Sequence, residues 1–129
     1  MGSSISVDLS YGIQITDSNI CYFPWSVCVE SDLDYWYDSQ HSFIDDFEEW
    51  APDDCPLEVD LWGDLVRWSE NYYILKVKGV DQTSYSDILV PDWSKMESST
   101  WLLAQAGRWA KEHGIDFLGA KWMIVPSYY

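Results

Sequence analysis

The first 66 residues contain neither lysine nor arginine; the first fixed positive charge is Arg67. That lack argues against nucleic acid as a direct ligand, because duplex binding depends on basic side chains that release phosphate counterions. Cysteine is scarce too. Cys21, Cys28 and Cys55 form an odd set with no C-x-x-C pair and no nearby histidine to complete a zinc site, so buried free thiols are expected. No apolar run approaches the roughly 20 residues that cross a bilayer, and Met1 to Ser10 has neither the basic start nor the apolar block of a signal peptide. The expected location is the cytoplasm, without membrane association. Glycine-rich phosphate loops, the GxSxG elbow and HExxH are missing. An EF-hand loop begun at Asp32 would put Trp36, Tyr37 and Phe43 at its fifth, sixth and twelfth positions, where an oxygen ligand, glycine and glutamate belong. No cofactor and no enzymatic reaction are expected.

What the chain does contain is acid and aromatic rings. Of its 129 residues 22 are Asp or Glu against seven Lys or Arg, for a formal net charge of -15. Thirteen of the acids lie between Glu30 and Val66, among seven aromatics. Residues 67–129 hold seven acids and seven bases, so the whole net charge belongs to the first half. An apolar fraction of 47% and an aromatic fraction of 17% exclude an acidic disordered chain, which is poor in large apolar side chains. The length fits one domain, residues 1–129, that buries roughly two thirds of its unfolded surface.

Periodicity predicts an α+β fold: about five mainly antiparallel strands with two helices packed on the sheet. Ile5, Val7, Leu9, Tyr11, Ile13 and Ile15 alternate with polar residues, which predicts a long strand with one face on a core, and Gly12 marks a bend or bulge within it. Pro24 limits Ile20 to Val29 to a loop or edge strand. Glu30 to Gln40 has no usable periodicity and reads as a loop carrying Tyr35, Trp36 and Tyr37. Ser42 with Asp45 predicts a helix start. Phe43, Phe47 and Trp50 then recur at helical spacing, leaving Asp45, Asp46, Glu48 and Glu49 outside, until Pro52 ends the helix near Trp50. Strands are expected at Pro56 to Trp62, Tyr72 to Val80 and Lys121 to Val125, with a turn at Gly63-Asp64 and a polar turn at Asp81 to Ser86. Ser94 with Glu97 predicts a second helix start, followed by an apolar stripe of Met96, Leu102, Leu103, Ala106, Trp109 and Ala110 closed by His113 and Gly114. Trp101, Trp109 and Trp122 are assigned to the core.

The candidate site is a partner-binding surface. Asp32, Asp34, Asp38, Asp45, Asp46, Glu48, Glu49, Asp53 and Asp54 supply charge, and Tyr35, Trp36 and Tyr37 are the candidate anchors, because interfaces favour aromatic anchors whereas a merely soluble surface mixes both signs of charge. His41 is spaced to meet Asp38 or Asp45 but reads as solvated surface. Duplex DNA carries one charge per ~1.7 Å, so 15 negative charges match roughly 25 Å of duplex. A domain of this length is on the order of 35 Å wide. Gathered on one face, the carboxylates approach the charge density of DNA and suit a basic groove.

In size, in its acidic half from Glu30 to Asp64 and in its lack of catalytic motifs, the chain resembles the small acidic proteins that bacteriophages use against host defences, some of which look like DNA to a restriction or CRISPR effector. The resemblance implies a non-enzymatic inhibitor in the host cytoplasm that occupies the nucleic-acid groove of a host protein. Acids among aromatics also fit a sugar-binding or divalent-metal-binding protein, with glycoside hydrolysis as its enzymatic extreme. A third reading is an acidic subunit of a homo-oligomer whose aromatics pack between chains.

Overall fold

The computed structural model describes residues 5–30, 35–38, 40–61, 73–86 and 88–128. The expected turn at Gly63-Asp64 lies outside them. Strand β1 (Ile5–Ile15) is the hub. β7 (Lys121–Tyr128) pairs antiparallel along one of its edges, from Ile5↔Tyr128 to Gly12↔Lys121. Two strands share the other edge: β5 (Tyr73–Val77) opposite Gly12 to Ile15, and β6 (Gln82–Ser84) opposite Val7 to Leu9. β4 (Leu57–Leu61) continues the sheet beyond β5. The α+β expectation of five antiparallel strands therefore holds.

The expected turn Asp81 to Ser86 contains strand β6. Lys78 to Asp81 form a bulge between β5 and β6, with Gly79 at φ 80°, so both strands can bond to one edge of β1. Gly12 answers to sterics. A Cβ there would lie 2.0 Å from the Leu75 carbonyl oxygen, so β1 and β5 approach closely only because position 12 has no side chain.

Two short strands, β2 (Cys28–Glu30) and β3 (Tyr35–Tyr37), form a separate hairpin where a loop was expected. Strands of three residues are too short to show a period of two. A 3-10 turn at Ile20–Tyr22 precedes the hairpin, and the chain from it returns so that Cys21 and Cys28 stand 5.8 Å apart at Cα and are bonded as a disulfide. Two of the three expected free thiols are thus bridged. Cys55 alone is free and buried, and burial pushes its thiol pKa up, which suits a packing role. Alkylation followed by mass spectrometry should modify no cysteine in native protein, one after denaturation and three after denaturation with reduction. Three without reductant would refute the bridge.

Helix α1 (Phe43–Trp50) has the bounds its sequence implies. The Ser42 side chain accepts a hydrogen bond from the Asp45 amide, and the helix ends before Pro52. Its inward face is aromatic. Trp25 lies 5.5 Å from Phe43, 4.8 Å from Phe47 and 5.1 Å from Trp50, between ring centroids, and stacks on Phe23. Phe43 also meets Tyr73 of β5, which ties the helix to the sheet. Rings of this size remove about 150–250 Å² each from water, and their edge and offset contacts add about 0.5–1.5 kcal/mol per pair.

The expected second helix is two helices. α2 (Trp93–Ser98) is capped by Asp92 and not by Ser94, the Asp92 carboxylate accepting from the Lys95 amide. The hydroxyls of Ser98 and Ser99 both donate to the Lys95 carbonyl and that of Thr100 to the Glu97 carbonyl, a run of side-chain bonds that ends α2. α3 (Thr100–Glu112) then starts on a new phase. Ala106 and Ala110 are buried as expected, but Trp101 and Leu102 are exposed, and Trp101 stands about 140° round α3 from Ala106. His113 caps α3 and Gly114 follows at φ 77°.

Candidate partner-binding site

The first-half acids separate into two groups. Asp46 is occupied inside the protein: the Tyr37 hydroxyl donates to its carboxylate, and Nδ1 of His41 lies 3.2 Å from both its oxygens. This contact fastens β3 to the first turn of α1. The ring of Tyr37 packs edge-on to Phe43 at 5.3 Å, so Tyr37 is half-buried against the core. His41 finds its acid at Asp46, five residues on, instead of Asp38 or Asp45. The helix turn points Asp46 back over the hairpin, whereas Asp45 points to solvent.

The Tyr37 bond, more than the His41 contact, holds the Asp46 carboxyl below its ordinary value of 3.8. Burial, reinforced by the Asp46 hydrogen bond and charge, pushes the Tyr37 hydroxyl well above its ordinary value of 10.0. A carboxylate with a depressed folded pKa contributes stability that is present above its unfolded pKa and lost as pH falls through the folded one. Tyr37→Phe should therefore cost about 1–2 kcal/mol at neutral pH, as loss of a hydrogen bond to a charged acceptor does. The cost should shrink below pH 3.8. Urea melts at both pH values check it, and an equal cost at each would refute the account.

The second group is free surface. Asp45, Glu48 and Glu49 on α1, with Asp53 and Asp54 in the turn after it, are exposed. Among the described residues no salt bridge neutralises any of the five; the ion pairs there involve only Lys76 and His41. Asp38 is partly buried and accepts from the Gln40 amide, so it shapes the approach to α1. Asp32 and Asp34 lie outside the described residues. Tyr35 and Trp36 stand in β3, with their side chains outside the described part.

Beside the exposed acids a cleft of about 390 Å³ opens between α1 and β4. Its floor is Phe47, Cys55 and Val59, and Glu48, Asp53 and Glu58 stand around it with Lys78. With three carboxylates to one lysine around an apolar floor, the cleft suits the stem and head of a long basic side chain. Sequence reading missed the cleft, because Val59 and Glu58 come to it from another strand.

Further along the sheet, Lys76 sits opposite Glu58 in the β4/β5 register and is only 7% exposed. Its Nζ lies 2.8 Å from Asp81, 3.5 Å from Asp60 and 3.6 Å from Glu58. Lys76 thus neutralises β4 acids and leaves the α1 acids alone. Among the described residues no group of three or more His, Cys, Asp or Glu is placed to hold a metal ion, and no helix is long and apolar enough to cross a membrane. Comparison with protein-family models, curated proteins and solved structures finds no match.

Proposed function

We propose that this protein is a non-enzymatic acidic binding protein that docks α1 and the turn after it onto the basic groove of a nucleic-acid-binding host protein and so blocks access of nucleic acid. The observation that carries the reading is the run of five exposed, unneutralised carboxylates, Asp45, Glu48 and Glu49 on a helix whose aromatic face anchors it in the core and Asp53 and Asp54 in the turn after it. Such a surface is rigid, so ordering it on binding costs little. Its charge steers a basic partner at long range, and the cleft beside it receives one basic side chain. The site of action is the host cytoplasm, where disulfides are reduced. The Cys21–Cys28 bridge closes a short loop worth about 2–3 kcal/mol, so the fold there rests on the aromatic core.

Affinity capture from host lysate over a salt series, followed by competition with duplex DNA, tests the proposal. A basic partner should be retained at low salt, released as salt rises, and displaced by DNA. Reversal of Asp45, Glu48, Glu49 and Asp53 to Lys, with Asp46 left in place to preserve the fold, should weaken capture roughly 100-fold or more. Retention that ignores both salt and charge reversal would refute the reading.

A further inference from the structure

We infer that this protein pairs with a second copy of itself through an apolar surface on its charge-neutral half, at the β6 end of the sheet. Tyr85, Ile88, Val90, Trp93, Trp101 and Ile124 are all more than three-fifths exposed, with Val90 at 81% and Trp93 at 70%. Hydrogen bonds bring them to one region. The Gln82 side chain clamps the Asp92 backbone by both its amide and its carbonyl, so α2 begins against β6. Ser84 and Ser86 both donate to the Ile88 carbonyl and fold the loop that carries Tyr85, Ile88 and Val90 back onto the same strand. Leu9 has Gln82 on one side and Ile124 on the other, so Ile124 shares the sheet face of Gln82. Trp101 follows in the first turn of α3.

Two quantities decide the occupant. With about 150–250 Å² for a fully exposed aromatic side chain and somewhat less for an aliphatic one, these six expose on the order of 900 Å². The largest apolar patch of a monomer is about 300–600 Å², and a stable dimer buries about 800 Å² per partner. Charge then selects a copy of the chain itself. Residues 1–66 carry 15 acids without a fixed base, while residues 67–129 balance seven against seven. Two copies repel least when they meet away from α1 and the turn after it, where Asp45, Glu48, Glu49, Asp53 and Asp54 stand exposed. Lys95 and Glu97 carry one charge of each sign on α2, which suits a two-fold contact between identical patches.

Sedimentation velocity over a concentration series tests the pairing at low and at high salt. The mass should rise from 15.0 kDa to twice that value as concentration increases, and the transition should move to lower concentration in high salt, where repulsion between acidic halves is screened. This salt response is opposite in sign to that of the acidic docking face, so the two proposals fail separately. Trp93→Glu with Trp101→Glu, both at exposed positions, should weaken pairing at least 100-fold while the circular dichroism spectrum and melting temperature of the monomer stay unchanged. A wild-type mass that remains at 15.0 kDa throughout would overturn the inference. So would a dimer indifferent to both substitutions, or a monomer whose Trp93 and Trp101 fluorescence shifts on phosphatidylcholine vesicles.

Discussion

Gly12→Ala should destabilise the protein by about 4 kcal/mol or more, a large share of the 5–15 kcal/mol that holds a domain together. The added methyl would stand 2.0 Å from the Leu75 carbonyl oxygen, 2.8 Å from the Lys76 Cα and 2.9 Å from the Leu75 carbonyl carbon, all backbone atoms of β5. No side-chain rotation relieves that overlap. The strands must separate, and β1 is bonded to β5, β6 and β7 at once, so the displacement spreads through the sheet. Gly107→Ala is the matched control. Nothing lies within 4 Å of a Cβ built there, in the middle of α3, so alanine should stabilise by about 0.5–1 kcal/mol through helix propensity. Denaturant melts of both variants test the contrast, and a Gly12→Ala cost under 1 kcal/mol would show that β5 does not approach β1 as described.

Lys76→Met should cost about 3 kcal/mol, which for a chain of this size lowers the melting temperature by roughly 10 °C. Methionine matches the stem and removes only the charge. Glu58 and Asp60 are solvated enough to tolerate the loss, with side chains 42% and 61% exposed. Asp81 is not: its side chain is 24% exposed, and Oδ1 is buried without a hydrogen-bond partner among the described residues. Without Lys76, its remaining oxygen would be stranded too. Adding Asp81→Asn should therefore recover more than half of the loss, and a double variant no better than the single one would refute the coupling. The pH response follows from the sign of the shift. Burial alone would lower the Lys76 pKa, but the Asp81 hydrogen bond and the three carboxylates outweigh it, so the pKa stands above its ordinary 10.5. Stability from this group is fully present below pH 10.5 and lost as pH rises through the higher folded value, so the variant should close on wild type at strongly alkaline pH.

Local features carried much of this fold into the sequence. Ser42 and Pro52 bracket α1, alternation sets β1 and β4, and Gly114 ends α3, since each depends on neighbours within a few residues. What was hidden depends on distant partners. The burial of Lys76 requires acids from β4 and from the bulge, and the role of Tyr37 requires Asp46 to come round a helical turn. The split of α2 from α3 follows from the hydroxyl run at Ser98 to Thr100, which reads as helix until the bonds to Lys95 and Glu97 are known. Of the candidate site, the acids of α1 were legible because helical spacing divided them from Phe43 and Phe47. The cleft was not, because β4 supplies part of its wall.

The hub position of β1 has a consequence for how the chain comes off the ribosome. Ile5–Ile15 is made before its partners, which are residues 73–77 and 82–84 on one edge and 121–128, opposite Ile5 to Gly12, on the other. Until those residues emerge, an apolar strand waits beside the most acidic stretch of the chain. The surplus of negative charge between Glu30 and Val66 then repels neighbouring nascent copies while both edges of β1 stand open.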